Sequence, residues 1–221
     1  GSGFAAELAT AGLVGVQLDG VLGGLRNPGG DEQFLIFNVG NPAALRDNLR
    51  QSAMELAMLP ELLDGLALDA GSCGGGEVRV RARAVFGHSM GATIAPMALA
   101  LQPRFEAVVL SGAGGSWIYN LLEKRSPLEV RPIAAAMLDQ PPAALDPWHP
   151  ALGLLQWAGE AADPPLSALE ADVDVLMVQG IVDTYILPPI ANAMSAAWAL
   201  ELGGEPLDAG LWEPGVEGAL A

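Results

Sequence analysis

Basic residues are scarce in this 221-residue sequence. Ten lysines and arginines stand against 26 aspartates and glutamates, which gives a formal charge of −16 at pH 7. Lys124 is the only lysine, and the arginines are scattered apart from an alternating group at residues 79–83. Nucleic-acid binding requires clustered basic side chains that neutralise phosphates. We therefore expect no nucleic-acid partner.

Cysteine and long apolar runs are also scarce. Cys73 is the single cysteine, so no disulfide can form within the chain. The longest apolar run, residues 92–101, is interrupted by Pro96 and falls short of the roughly 18–20 residues that span a bilayer. Residues 1–3 lack the features of a secretory signal. We expect no integral membrane segment, and the compartment and oligomeric state stay open.

Hydrophobic residues make up 51% of the chain and charged residues 16%, which is a globular composition. Short apolar runs that predict buried strands alternate with segments of helical period. The strands are predicted at residues 13–18, 77–86, 105–110 and 173–178, and the helices at residues 4–11, 41–63, 90–101 and 189–202. This alternation predicts an α/β fold with a doubly wound, mostly parallel sheet.

The Asn41-Pro42 pair predicts the start of the second helix, with asparagine as N-cap and proline at the first helical position. Leucines then recur at three- and four-residue steps, which is typical of an amphipathic helix packed on a sheet. Pro60 is expected to kink or end this helix. Residues 112–170 are rich in Pro, Trp and Ala and show no clear period.

The pentapeptide Gly87-His88-Ser89-Met90-Gly91 is the strongest indication of chemistry. It joins a predicted strand directly to a predicted helix, the setting in which the serine of G-x-S-x-G is a nucleophile. Its glycines permit a sharp turn, and the helix N-terminus faces the developing oxyanion. Ser89 is therefore a candidate nucleophile, and an ordinary serine in a glycine-rich turn is the alternative.

Asp183 follows another predicted strand, three residues after Gly180. The carboxyl ends of parallel strands meet at one edge of a sheet, so Asp183 is expected at the same edge as Ser89. An aspartate that only shapes a turn is the alternative. No His, Cys or Asp cluster has metal-ligand spacing, so we expect neither a metal nor a cofactor.

Together these motifs resemble bacterial α/β-hydrolases of the esterase and lipase kind over nearly the whole chain. Residues 19–24 resemble the D-x-x-G-x-G loop, although Leu22 replaces its first glycine, and residues 41–56 resemble an Asn-rich helix of some lipase-like hydrolases. Residues 87–91 match the nucleophile elbow and residues 180–183 the acid loop. The resemblance implies a single, partial α/β-hydrolase core over residues 1–221, with residues 112–170 as a lid or cap.

The same resemblance implies roles for individual residues. Ser89 would be the nucleophile, Asp183 the acid, and the backbone N–H of Met90 a donor of the oxyanion hole. The substrate would be a small-molecule ester or lipid, hydrolysed through an acyl-enzyme. The acyl and alcohol parts of that substrate stay open.

Two departures from the family pattern concern catalysis. The family's base is a histidine beyond the acid, whereas the only histidines, His88 and His149, precede Asp183. We expect the His88 side chain to point away from the Ser89 hydroxyl, and His149 to cap a helix or pack. The second oxyanion donor would come from a loop upstream of Phe4. At each end, the sequence therefore lacks a segment that the family pattern contains.

Removal of the general base from a serine protease lowers kcat by about 10⁶. We therefore expect this chain to hydrolyse esters very slowly or not at all. Three alternatives remain: another acyl reaction at the same site (acyl transfer, or thioester or peptide hydrolysis), a non-catalytic relative that binds a ligand or partner, and a fragment of a longer enzyme.

Overall fold

The computed structural model describes residues 3–38, 40–65, 71, 75, 80–180 and 182–203. Its sheet has three parallel strands in the order β1-β2-β3, and Val109 at the centre of β2 pairs with Phe86 and Leu176 on either side. A mixed α/β fold with a parallel sheet is therefore confirmed. The strands are β1 (Ala84–His88), β2 (Ala107–Ser111) and β3 (Asp174–Val178).

Helices connect these strands and pack around them. In the described ranges, none of them is both long and apolar enough to cross a membrane. Short 3₁₀ turns lie at Gly24–Arg26, Pro142–Ala144 and Glu160–Ala162. The α-helices are α1 (Gly3–Thr10), α2 (Glu32–Ile36), α3 (Pro42–Ala57), α4 (Leu59–Asp64), α5 (Met90–Leu101), α6 (Trp117–Glu123), α7 (Val130–Met137), α8 (Pro150–Gly159), α9 (Pro164–Ala168) and α10 (Pro188–Ala197).

Helix α5 is the centre of the core and has the predicted bounds. It crosses from β1 to β2 and packs against β1, α3 and α9. Ala92, Ala95 and Leu99 are buried in one cluster with Val85 of β1 and Val108 of β2. Small residues in α5 let the helix approach the sheet closely, which fixes the position of its N-terminus at the end of β1.

Helix α3 begins where the sequence predicted. The Asn41 side chain accepts a hydrogen bond of 3.1 Å from the backbone N–H of Ala44, and α3 ends just before Pro60 in the first turn of α4. Its apolar face packs chiefly on α5, so direct packing on the sheet was the wrong prediction. Helix α5 already covers that face of the sheet, and α3 forms the next layer.

The two faces of the sheet differ in exposure. Val85 and Val108 point toward α5 and are buried, whereas Phe86, Leu176 and Val178 on the other face are 53%, 59% and 52% exposed. The only ring contact found there among the described residues joins Phe86 to Phe4 of α1, with centroids 5.1 Å apart. The described residues therefore cover the α5 face far better than the opposite one.

The strand predicted at residues 13–18 does not form. The segment has no regular secondary structure, and Leu13, Val14 and Val16 are at least half exposed. A strand needs a neighbour for its backbone N–H and C=O groups. None of the three described strands pairs with this segment, and an apolar sequence alone does not supply a partner.

Strand β1 and helix α10 are shorter than predicted. Residues 80–83 precede β1, and the predicted strand positions 77–79, like Cys73, lie outside the described residues. Helix α10 ends at Ala197 because Ala199 adopts a left-handed conformation (φ +49°). The N–H groups of Ala199 and Leu200 donate to carbonyls of α10 in a Schellman arrangement, well before the expected stop at Gly203.

Candidate active site

Ser89 occupies the sharp turn between β1 and α5. Its backbone has φ 51° and ψ −111°, a combination that is strained for a residue with a Cβ atom. The Ser89 N–H donates a hydrogen bond of 2.9 Å to the carbonyl of Ser111 in β2, and its carbonyl accepts one of 2.9 Å from Ala92 in α5. Sheet and helix thus hold the turn from both sides.

Hydrogen-bonding groups without a partner in the described part of the chain lie at this turn. The Ser89 side chain is exposed and has no hydrogen-bond partner in the described part of the chain. The backbone N–H groups of Met90 and Gly91, at the start of α5, also have no acceptor there, as expected for the first turn of a helix. Unpaired N–H groups at a helix N-terminus stabilise negative charge.

Asp183 lies in the loop that follows β3. Its Oδ1 accepts hydrogen bonds from the N–H groups of Tyr185 (2.7 Å) and Ile186 (3.1 Å). Its Oδ2 has no hydrogen-bond partner among the described residues and faces Gly112, where an added Cβ would lie 3.8 Å from it. One oxygen therefore fixes the carboxylate, and the other remains available to a ligand or side chain.

A small cavity of about 280 Å³ brings the two predicted site residues together. Ser89 and Asp183 both line it, as expected from their positions at the carboxyl ends of parallel strands. The other lining residues are His88, Gly112, Tyr185 and Ile186.

Neither histidine is hydrogen-bonded to Ser89. The Nδ1 atom of His88 lies 3.1 Å from the hydroxyl of Ser111, its register partner in β2. His149 is the N-cap of α8, and its Nδ1 accepts a hydrogen bond of 3.3 Å from the N–H of Ala151. The capping interpretation of His149 is thus confirmed.

A larger cavity of about 900 Å³ opens beside Ser89. Residues 112–170 supply much of its apolar wall, including Trp117 of α6 and Leu155 of α8. Trp148 and Trp157 of the same segment are 90% and 74% exposed and do not line the cavity. Apolar walls of this kind suit a ligand with an apolar body.

Asp163 is a buried carboxylate of this cavity that the sequence did not reveal. It accepts hydrogen bonds from the backbone N–H of Ser116 (2.9 Å) and from the Gln156 amide (2.6 Å). Burial raises its pKa, and these hydrogen bonds oppose the shift. Asp163 precedes α9, but its side chain makes no cap hydrogen bond there. The carboxylate instead links the chain before α6 to Gln156 of α8.

Lys124 is the second residue that sequence reasoning missed. It follows α6 and lines the large cavity, with Nζ 6.0 Å from the centre of the Phe37 ring. Burial lowers its pKa, and the negative charge of Asp183 opposes that shift. A lone lysine after a short helix gives no sequence signal of such a position.

The chemistry available at this site is that of a hydroxyl, a carboxylate and backbone N–H groups. Within the described ranges, no group of three or more His, Cys, Asp or Glu side chains is placed to hold a metal ion. The functional assignment depends on this geometry, because comparison of the chain with family models, curated proteins and solved structures gives no match.

Proposed function

We propose that this chain is a serine hydrolase of carboxylic esters, with a partial α/β-hydrolase core and residues 112–170 as a lid or cap. One observation carries the proposal. Ser89 sits in a strained strand-to-helix turn, and its free hydroxyl shares a cavity with the carboxylate of Asp183. Strain of this kind favours a functional role when, as here, the side chain has no hydrogen-bond partner among the described residues.

In the proposed reaction the Ser89 oxygen attacks the ester carbonyl carbon and loses its proton to a base. The negative charge that develops on the carbonyl oxygen is stabilised by the backbone N–H of Met90. The tetrahedral intermediate then expels the alcohol, which takes up the proton, and leaves an acyl group on Ser89. Water attacks this acyl-enzyme in the same way and releases the carboxylic acid.

The base is the missing element. His88 bonds to Ser111 and His149 caps α8, so neither histidine serves Ser89 in this structure. The small cavity between Ser89 and Asp183 has room for an imidazole, which Oδ2 of Asp183 would orient and whose positive charge it would stabilise. We therefore expect slow turnover by the 221-residue chain alone and a gain when free imidazole is supplied.

The experiment measures acylation of the purified chain by p-nitrophenyl octanoate, with and without imidazole. Intact-protein mass spectrometry detects the acyl group, and peptide mapping locates it. We expect acylation at Ser89 that imidazole accelerates. Ser89→Ala is the matched control, because it removes the nucleophile and reports the reaction that imidazole catalyses in solution.

The proposal fails if folded wild-type protein and Ser89→Ala give equal rates and equal labelling in imidazole. That outcome would favour a non-catalytic binding protein. Labelling of Ser89 followed by faster release to an added alcohol or thiol than to water would instead identify an acyltransferase.

A further inference from the structure

Lys124 carries a partly buried positive charge without a conventional partner. In the described part of the chain, its ammonium group forms neither a hydrogen bond nor a direct ion pair. The Phe37 ring centre lies 6.0 Å from Nζ, and the negative charge of Asp183 acts on the ammonium at longer range. Arginines 26, 83 and 104, by contrast, all pair with carboxylates. A partly desolvated ammonium without a direct ion-pair partner is costly, so an anionic ligand that reaches it would be favoured.

Asp31 and Asp163 line the same large cavity as Lys124, and Asp183 lines the small cavity beside it. Asp163 is held by the N–H of Ser116 and the Gln156 amide, and Asp183 by the N–H groups of its own loop. Asp31 is exposed at the edge of the cavity. Asp163 and Oδ1 of Asp183 thus have donors of their own. The Asp183 charge acts on Lys124 without a direct ion pair, so the ammonium remains available to a ligand.

We propose that Lys124 binds an anionic group, a carboxylate or a phosphate, carried by a substrate whose apolar body occupies the large cavity. Phe37, Leu121 and Leu155 line the same space as Lys124 and Ser89, so one ligand can contact the apolar wall, the ammonium and the nucleophile. The idea that this ligand is an ester substrate rests on the proposed function. The preference of Lys124 for an anion is independent of the proposed function.

The test compares unreactive eight-carbon ligands that carry or lack an anionic group. Octanedioic acid monoamide is paired with octanamide, and octyl phosphate with octanol. Dissociation constants are measured by isothermal titration calorimetry on the wild-type chain. We expect at least one anion to bind about tenfold more tightly than its neutral partner, equivalent to about 1.4 kcal/mol. Whichever anion is preferred identifies carboxylate or phosphate as the recognised group.

Three variants test whether Lys124 is responsible for the preference for the anionic ligand. Lys124→Met should abolish it, and Lys124→Arg should retain it because the charge is kept. Arg125→Met is the matched control, since Arg125 is exposed and lies outside the cavity lining. Equal binding of the charged and neutral ligands, or a preference that survives in folded Lys124→Met protein, would overturn the proposal.

Ser89→Ala separates this inference from the proposed function. The variant removes any hydrolysis but leaves Lys124 and the cavity intact, so the preference for the anion should persist in it. If ester hydrolysis is absent while the preference follows Lys124, only the proposed reaction fails. If hydrolysis occurs without any preference, only the role of Lys124 fails.

Discussion

Gly87 approaches Gly91 so closely that a Cβ atom on Gly87 would lie 2.7 Å from the Gly91 carbonyl oxygen. The contact arises because the turn at Ser89 folds the start of α5 back against the end of β1. Apart from its chain neighbours and the backbone of its own helix, no atom of the described structure lies within 4 Å of the corresponding Cβ position on Gly91. The two glycines of one motif therefore have different structural roles.

Gly87→Ala and Gly91→Ala should consequently have opposite effects on stability. The backbone atoms near Gly87 cannot move without shifting α5, so we expect Gly87→Ala to lower the free energy of unfolding by about 1–3 kcal/mol. Gly91→Ala should be neutral or stabilising by up to about 1 kcal/mol, because alanine is the better helix former. Urea unfolding of both variants tests this, and equal losses would show that the contact is unimportant.

Comparison of Asp183→Asn with Asp183→Ala should separate the effect of the Asp183 charge from the effect of its hydrogen bonds to the loop. Asparagine can still accept the hydrogen bonds from Tyr185 and Ile186 but has no charge to stabilise an imidazolium. We expect it to keep stability within about 0.5 kcal/mol and to lower imidazole-stimulated acylation by about 10²–10⁴. Alanine should also destabilise the protein by about 1–2 kcal/mol, because two N–H groups lose their acceptor.

Thermal unfolding and acylation rates of the two variants provide the measurements. Asp174→Asn is a suitable control, because this exposed carboxylate lies at the far end of β3 from the site. Full activity in Asp183→Asn would show that the carboxylate only shapes its loop, which is the turn interpretation left open by the sequence.

Local signals in the sequence predicted local structure well. Asn41 caps α3 as expected, and the run of small and apolar residues after Ser89 forms α5 despite Pro96. The predictions that failed were those that depended on more than the local sequence. Residues 13–18 have strand composition but no paired neighbour, and α10 ends in a left-handed turn at Ala199, where glycine would be the usual signal.

The same contrast applies to the residues of the candidate site, of which two could be predicted from the sequence and two could not. Ser89 and Asp183 follow strands, and strand order brings such positions to one edge, so their proximity could be predicted. Lys124 and Asp163 belong to residues 112–170, whose path depends on tertiary contacts such as the 2.9 Å hydrogen bond from Trp117 Nε1 to the Gly159 carbonyl. Neither residue has a periodic or motif-based signal that would place it in the cavity.

Asp163→Ala should destabilise the protein in a pH-dependent way. At neutral pH the loss of an acceptor for Ser116 and Gln156 should cost about 1–3 kcal/mol. Burial raises the pKa of Asp163 above its ordinary value of 3.8, so the native state binds a proton more tightly than the unfolded state does. The stabilising contribution of Asp163 therefore grows as the pH falls through its folded pKa and levels off below the ordinary value.

The measurement is urea unfolding of wild type and Asp163→Ala at pH 7 and at about pH 4, near the ordinary pKa of an aspartate. We expect the difference between them to be larger at the lower pH. Glu170→Ala is the control for loss of an exposed carboxylate and should change stability only slightly. A difference that shrinks on acidification would contradict the sign derived from burial.

Ser89→Gly should be more stable than Ser89→Ala. Both variants lose the same hydroxyl, which has no hydrogen-bond partner among the described residues. The comparison therefore reports the energy that the backbone needs to hold φ 51° and ψ −111°. Glycine relieves strain of about 1–3 kcal/mol but loses about 0.4–1 kcal/mol through the greater entropy of its unfolded chain. We expect a net advantage of about 1 kcal/mol for glycine in urea unfolding at neutral pH. Equal stabilities would mean that the turn is unstrained, and the main structural support for a functional Ser89 would be lost.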